Sequence, residues 1–340
     1  MVDAEDSLRA AGGVIAHLRD DSKAAPNELV CESASMQRLL GYIRKIAVQP
    51  GPVLICGATG TGKTRLALEI HNLSSRRRGP FVKRHCAVFA DGTLLSDLFG
   101  HRRGAFTNAV ADRRGALASA DGGTLLLDDI DTLPLGGQQR LLGFFDDQKV
   151  TRLGDEEGHA QKVDVRIIAT TNKDPESLVQ KGLFCDDLLH RLNRWRLIVP
   201  PLKERPEDVE VLARLFLQDF QPTEPGGRPL VLDASAIDLL KALPWDGNIR
   251  QLEEVVRNVA LFGEANNGVI TQDTVVRVLF VPGHAPTTTR MVISPDLTED
   301  ARIQLALKLT RWDITKAARI AGCSRGTIHA RIKQRGWIRP

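Results

Sequence analysis

The sequence predicts an α/β fold: a parallel, helix-covered sheet around a P-loop, followed by an α-helical lid and a C-terminal all-α helix-turn-helix domain. Three observations predict it. Gly57 to Thr64 reads GATGTGKT, between the apolar run Pro52 to Cys56 and the breaker-free helical stretch Arg65 to Ile70. Further apolar runs, at Phe81 to Val88, Gly122 to Ile130, Val163 to Thr170 and Leu197 to Val199, alternate with helical stretches, as parallel strands do. Beyond Arg205-Pro206 strand-like runs cease, and only helical spacing remains.

A strand, a glycine-rich turn and a helix start, in that order, make a phosphate cradle. Gly57, Ala58, Thr59, Gly60, Thr61 and Gly62 form its backbone, and the following helix start adds partial positive charge. Lys63 is placed to reach the β- and γ-phosphates of ATP, and the Thr64 hydroxyl to hold Mg²⁺. The apolar run from Gly122 ends in Asp128 and Asp129. After a P-loop, a carboxylate at such a strand tip completes the Mg²⁺ shell and a second orients the attacking water, so Asp128 is assigned to the metal and Asp129 to the water. Thr171 and Asn172 close the strand from Val163 and are placed to hydrogen-bond the γ-phosphate or the water.

The 340 residues, 42% hydrophobic and 26% charged, suit two or three soluble domains with a sizeable core. No apolar stretch approaches a membrane span, and the N-terminus lacks a basic region followed by an apolar one, so a cytoplasmic protein with no membrane partner is expected. Cys31, Cys56, Cys86, Cys185 and Cys323 are scattered, which indicates neither a zinc site nor a disulfide framework. The net charge of +4 is uneven: residues 302–340 hold ten Lys or Arg against one acid, a net of +9, leaving −5 for residues 1–301. A basic end on a mildly acidic body is the footprint of nucleic-acid binding.

Residues 1–28 form a short N-terminal segment with one helix at about Ser7 to Arg19, too short for a sensor domain. Control is therefore expected from a separate protein, from expression level or from that segment. The α/β part covers 29–205 and opens with a helix from Ser33 to Val48, whose Met36, Leu39, Leu40, Ile43 and Ile46 keep helical spacing. Arg76, Arg77 and Arg78, before a Gly-Pro turn, read as solvated surface. A helix from Thr93 to Phe99 leads into GHRRGAFTNA, Gly100 to Ala109, where Phe106 is either a loop-tip contact for a partner or a buried satellite residue. The lid, 206–282, has helices at Val209 to Phe220, Ala234 to Leu243 and Ile249 to Leu261, and a short one at Val275 to Leu279. Asn248 is expected to cap the third, and Arg250 in its first turn either reaches nucleotide phosphates or pairs with a nearby acid. A Gly/Pro/Thr-rich linker, 283–296, precedes the domain 297–340. There, helices Thr298 to Leu309 and Ile314 to Ala321, the turn Gly322-Cys323, and a third helix capped by Ser324 suit reading of double-stranded DNA in the major groove. Ser324, Arg325, Thr327, His329, Arg331 and Lys333 are its candidate DNA contacts, with Ile328 and Ile332 facing inward.

Together these segments resemble the bacterial sigma-54-dependent activators, or enhancer-binding proteins, of the AAA+ ATPase superfamily, over about 29–264 and, as a Fis-type helix-turn-helix, over about 297–340. GAFTNA is close to the family's GAFTGA, GGTLLLDDID to its Walker B region and IIATTNKD to its sensor strand. DLLHRLNRWRLIVPPLKERPEDV matches the stretch before the lid, and WDGNIRQLEEVVRNVALF the sensor-II helix. The resemblance implies a self-assembled ring, usually hexameric, with ATP between neighbours, whose GAFTGA loops remodel sigma-54 RNA polymerase from upstream enhancer sites. It assigns Lys63, Thr64 and Asp128 to nucleotide and Mg²⁺, Arg250 to sensor II, and Gly104, Ala105, Phe106, Thr107, Asn108 and Ala109 to sigma-54. Four positions depart from the pattern. Asp129 stands for Glu, His85 for an Asn that restrains that Glu, Cys185 for the first of two trans-acting arginines (Arg191 keeps the second), and Asn108 for the second glycine of GAFTGA. Thr64 stands where many members carry Glu, which is typical of P-loop enzymes at large. The departures leave a second reading beside the ATP-hydrolysing activator: a nucleotide-gated DNA-binding regulator that does not act through sigma-54.

Overall fold

Met36, Leu40, Ile43 and Ile46 lie on one face of the helix Ala34–Ala47 (α1) and are buried, which is why this stretch is a helix and where it docks. The computed structural model describes residues 29–86, 91–106, 109–155, 159–220, 228–263, 267–280, 298–310 and 312–338. The expected helix at 7–19, the linker 283–296, and Thr107 and Asn108 lie outside them. The chain divides into two compact units, Ser35–Pro200 and Pro201–Pro340 with the segment ending at Ala34.

The first unit holds the sheet. Val53–Cys56 (β1), Phe81–His85 (β2), Thr124–Asp128 (β3), Arg166–Thr171 (β4) and Trp195–Ile198 (β5) pair in the order β2-β3-β4-β1-β5, every pair parallel. All residues of β1 and β4 are buried; β1 reads as an unbroken apolar run, while β4 carries Arg166 at its start and Thr170 and Thr171 at its end around an apolar centre. Helices Lys63–Asn72 (α2), Asp91–Phe99 (α3), Ala116–Ser119 (α4), Leu135–Asp147 (α5), Pro175–Gln180 (α6) and Asp186–Leu192 (α7) connect and cover them. Asp174 caps α6 by accepting from the Ser177 N–H at 3.2 Å, with Pro175 at the first helical position.

One expectation in this unit is corrected and another is described only in part. β2 ends at His85, with the Cys86 N–H still donating to the Asp128 carbonyl at 2.8 Å, and Ala87 and Val88, the end of the expected run, lie outside the described residues. Arg76 is not solvated surface: its guanidinium donates to the Asp164 carbonyl at 2.9 Å and pairs with the Asp164 carboxylate at 2.5 Å, leaving only Arg77 and Arg78 exposed.

The second unit is helical: Pro206–Asp219 (α8), Ala234–Ala242 (α9), Asn248–Phe262 (α10) and Gln272–Phe280 (α11), around Leu212, Leu240, Trp245, Leu252, Val256 and Val275. Strand pairing does not cease entirely, since Val231–Leu232 pairs in parallel with Val269–Ile270. Asn248 is not the cap of α10. It takes a left-handed backbone (φ 54) and its Oδ1 accepts from the Leu202 N–H at 2.7 Å, while Gln251 reaches back to the Gly247 N–H at 2.9 Å. The segment before α1 is tied to α8: the buried Asp208 carboxylate accepts from the N–H groups of Glu32 and Ser33, each at 2.8 Å. Glu299–Leu309 (α12), Ile314–Ala321 (α13) and Arg325–Arg335 (α14) make the C-terminal three-helix array, with Ile303, Leu307, Ala317 and Ile328 buried and Gly322 (φ 68) in the turn. No helix among the described residues is long and apolar enough to cross a membrane.

Arg166 opens β4 and is buried, its guanidinium spread over the carbonyls of Ile46 (2.9 Å), Ala47 (2.5 Å) and Gly51 (3.2 Å). It closes the C-terminus of α1, where carbonyls lack intrahelical donors. Burial, with Arg76 adding to it, pushes its pKa down to about 10, so it remains a cation at neutral pH. Arg166→Ala strips three buried acceptors at once and is expected to lower unfolding free energy by about 2–5 kcal/mol, read from urea melts of the whole chain.

Candidate functional site

Parallel strands send all their C-terminal ends to one side, and β4 lies between β1 and β3. The loop after β1, the residues after β4 and the acids after β3 therefore meet at three neighbouring strand tips. The loop from Gly57 to Gly62 is shaped by glycine at two places. Gly62 has φ 99, a left-handed turn into α2, and a Cβ on Gly57 would stand 3.0 Å from the Val199 Cβ. Thr61 closes the turn by donating its hydroxyl to the Ala58 carbonyl at 2.8 Å. Lys63 is buried and donates to the Gly57 and Ala58 carbonyls at 2.7 and 3.1 Å. Burial lowers its pKa, and Asp129, Asp128 and Asp131 oppose that.

The two acids are held from β4. Thr170 donates its hydroxyl to Asp128 Oδ1 at 2.6 Å and accepts the Asp129 N–H at 3.1 Å. Asp129 sits in the left-handed region (φ 54, ψ 55), where Asp is far more at ease than bulkier residues. His85, paired in register with Asp128, brings Nε2 to 3.6 Å from Asp129 Oδ2. Asn172 donates to Thr59 Oγ1 at 3.2 Å, which puts it against the phosphate loop. Asp131, nearly buried, takes the Thr171 hydroxyl at 2.8 Å and Lys173 at 2.9 Å.

Thr64 Oγ1 lies 3.5 Å from Asp128 Oδ2, not far from the roughly 3 Å that separates adjacent oxygens on a Mg²⁺ with bonds of about 2.1 Å. A cation already stands there: Lys83 Nζ is 2.9 Å from Asp128 Oδ2 and 3.3 Å from Thr64 Oγ1. The donor set, a hydroxyl and a carboxylate that attract a cation, fits Mg²⁺. Burial pushes the Asp128 carboxyl up, but the bonds from Thr170 and Lys83 and the charges of Lys83 and His85 outweigh it and hold the group below the usual carboxylate range. Lys83 and Thr170 escaped the sequence reading. Alternation along β2, which puts residues 83 and 85 on one face, was the available signal for Lys83.

The other candidates are carried by other elements. Arg191 is exposed on α7 and pairs with Asp146 on α5 at 2.8 Å, while Cys185 precedes α7 and its N–H donates to Gln138 Oε1 at 2.7 Å. Arg250 is exposed in the first turn of α10, in the helical unit. In the GAFT segment Gly104 (φ 83) and Ala109 close the loop through a 2.8 Å backbone bond. Phe106 is half-buried, its ring 4.9 Å from and edge-on to the buried His101, which bonds Ser96. The loop base is clamped by charge. Asp155, its side chain 4% exposed, takes Arg102 at 2.7 Å and Arg152 at 3.0 Å, and Asp112 takes Arg102 and the Arg103 N–H. On α14, Ser324 caps the helix by accepting from the Thr327 N–H at 3.0 Å, and Arg325, His329 and Lys333 are exposed along one stripe. Arg331 instead turns towards α12 and pairs with Glu299 and Asp300.

A P-loop on a parallel sheet, acids on a neighbouring tip, a helical unit and a helix-turn-helix array define a nucleotide-binding regulator class. Residues 29–198, half of the chain, match the family described as the Sigma-54 interaction domain, 203–288 the AAA+ ATPase lid domain, and 294–334 the Fis family of bacterial regulatory proteins. The Nif-specific regulatory protein of Azotobacter vinelandii is 38% identical over 312 residues, 90% of this chain and 58% of that protein. Regulatory protein AtoC of Escherichia coli K12 is 42% identical over 244 residues, 71% of this chain and 51% of that protein. The structure of NtrX from Brucella abortus in complex with ADP superposes with a TM-score of 0.66 at 29% identity, covering 92% of this chain and 69% of that one. The chain belongs to the sigma-54-dependent transcriptional activator family, with an AAA+ fold and a Fis-type helix-turn-helix. It spans little more than half the length of these two curated relatives.

Two outcomes are expected. Thr170→Val removes the hydroxyl that orients both acids and should weaken Mg²⁺-dependent nucleotide binding about 10-fold or more, measured by calorimetry. The Arg102 and Arg152 bonds, outweighing burial, bring the Asp155 carboxyl down to about 2. A depressed acid stabilises the fold above its unfolded pKa and loses that contribution as pH falls through the folded value. Asp155→Asn should therefore lower the melting temperature at neutral pH, with the gap to wild type closing on acidification from pH about 4 towards 2.

Proposed function

We propose that the chain binds Mg²⁺·ATP at the strand tips, hydrolyses it in a ring of identical subunits, and acts through the 104–109 loop on sigma-54 RNA polymerase at promoters chosen by α14. The observation that carries this is the meeting of Lys63, Thr64, Asp128, Asp129 and Asn172 from three adjacent strand tips. The ADP complex of NtrX and the sigma-54 interaction family support it.

The chain's own groups divide the work. Lys63 gives up the Gly57 and Ala58 carbonyls to neutralise phosphate charge. Thr64 and Asp128 would hold Mg²⁺, which when bound would draw off charge from the phosphate oxygens. Asp129 orients water and takes its proton as the water oxygen bonds the γ-phosphorus and the bond to the leaving β-phosphate oxygen breaks; its side chain is one methylene shorter than that of Glu, which sets the rate low. Arg191 leaves Asp146 to complete a neighbour's site. Phe106 and Thr107 meet the sigma factor, and Arg325, His329 and Lys333 meet the major groove.

Purified protein, ATP, sigma-54 polymerase and a premelted promoter test the reading. Turnover per subunit should rise with protein concentration and fall about 10³-fold or more in Arg191→Ala. Asp129→Glu should raise kcat, and Thr107→Ala should abolish open-complex formation while ATP still binds. Turnover independent of concentration would sink the shared site. Nucleotide-dependent DNA binding with no open complex would favour a gated regulator instead.

A further inference from the structure

Of the cations around the strand tips, Lys83 has no part in the reading above, yet it makes the closest contact with the metal-binding pair. Asp128 spends Oδ1 on Thr170 at 2.6 Å, so Oδ2 is the oxygen left to receive a cation, and Lys83 Nζ holds it at 2.9 Å. The same ammonium donates to Thr64 Oγ1 at 3.3 Å, and the hydroxyl in turn lies 3.5 Å from Oδ2. One ammonium thus engages the lone pairs of both groups that would ligate Mg²⁺. The P-loop lysine does not share the task, since Lys63 is turned onto the Gly57 and Ala58 carbonyls.

We propose that Lys83 is a resident counter-cation of the Thr64–Asp128 pair, and that Mg²⁺ arriving with nucleotide must displace it. Lys83 then sets the Mg²⁺ concentration at which nucleotide binds tightly. The inference rests on the nucleotide reading and adds a positioning residue to it. Lys83 and Mg²⁺ would face the same carboxylate oxygen and the same hydroxyl, and two like charges at that range repel, so binding of either weakens that of the other. Displacement asks little of the fold: the Lys83 side chain is 44% exposed at the end of a flexible stem, and its strand need not move. With the pair empty of metal, the ammonium offsets part of the negative charge of Asp128, Asp129 and Asp131 and keeps Asp128 aimed at Thr64.

The test is equilibrium binding of adenylyl imidodiphosphate to the full chain by calorimetry, across a Mg²⁺ series that starts in chelator. In Lys83→Met the Mg²⁺ midpoint for tight binding should fall about five-fold or more, while Lys83→Arg, which keeps the charge, should stay near wild type. A midpoint in Lys83→Met that is unchanged or higher, in protein that melts like wild type, overturns the role of Lys83 alone. Wild-type protein that takes up no nucleotide at any Mg²⁺ concentration overturns the nucleotide reading, and this proposal with it.

Discussion

The hydroxyl of Thr170 is the interaction on which the strand-tip chemistry depends. It lies fully buried in β4, donates to Asp128 and accepts from the backbone of Asp129, so one oxygen sets both the aim of one acid and the left-handed turn of the next. It can do so because β4 is inserted between the strand that carries the phosphate loop and the strand that carries the acids. Neighbouring strands are about 4.8 Å apart, so the insertion places the loop and the acids some 10 Å apart at their backbones, a span that side chains and a polyphosphate can bridge.

Much of this was legible in the residues. The P-loop, the buried strands and the two acids announce themselves because their signals are local: a fixed spacing of glycines, an apolar run, a pair of carboxylates at its end. The contacts that escaped are made across strands or over long separations. Thr170 looks like the end of an apolar strand, Lys83 like an ordinary surface lysine, and only the register of β2 against β3 brings Lys83 near Asp128. Arg76 and Asn248 misled for the same reason, since an arginine in a basic run and an asparagine before a helix carry strong local expectations that distant partners, Asp164 and Leu202, override.

The basic tail illustrates a related limit. Counting from Arg302 makes the end of the chain strongly cationic, but α12 begins just earlier with Glu299 and Asp300, and these acids take Arg331 and Arg335. Part of the positive surplus therefore braces α14 against α12. Along α14, Arg325, His329 and Lys333 are exposed on one stripe.

Asp155 has a consequence of another kind. A single acid serves Arg102, at the base of the GAFT loop, and Arg152, so the three positions are coupled through one carboxylate. Exchanging the GAFT loop with that of a relative would import a foreign partner for Asp155 or leave it with one. Chimaeras that transplant the loop by itself would start from a mismatched hinge, and the graft that respects this architecture carries residues 100–112 and 149–155 together.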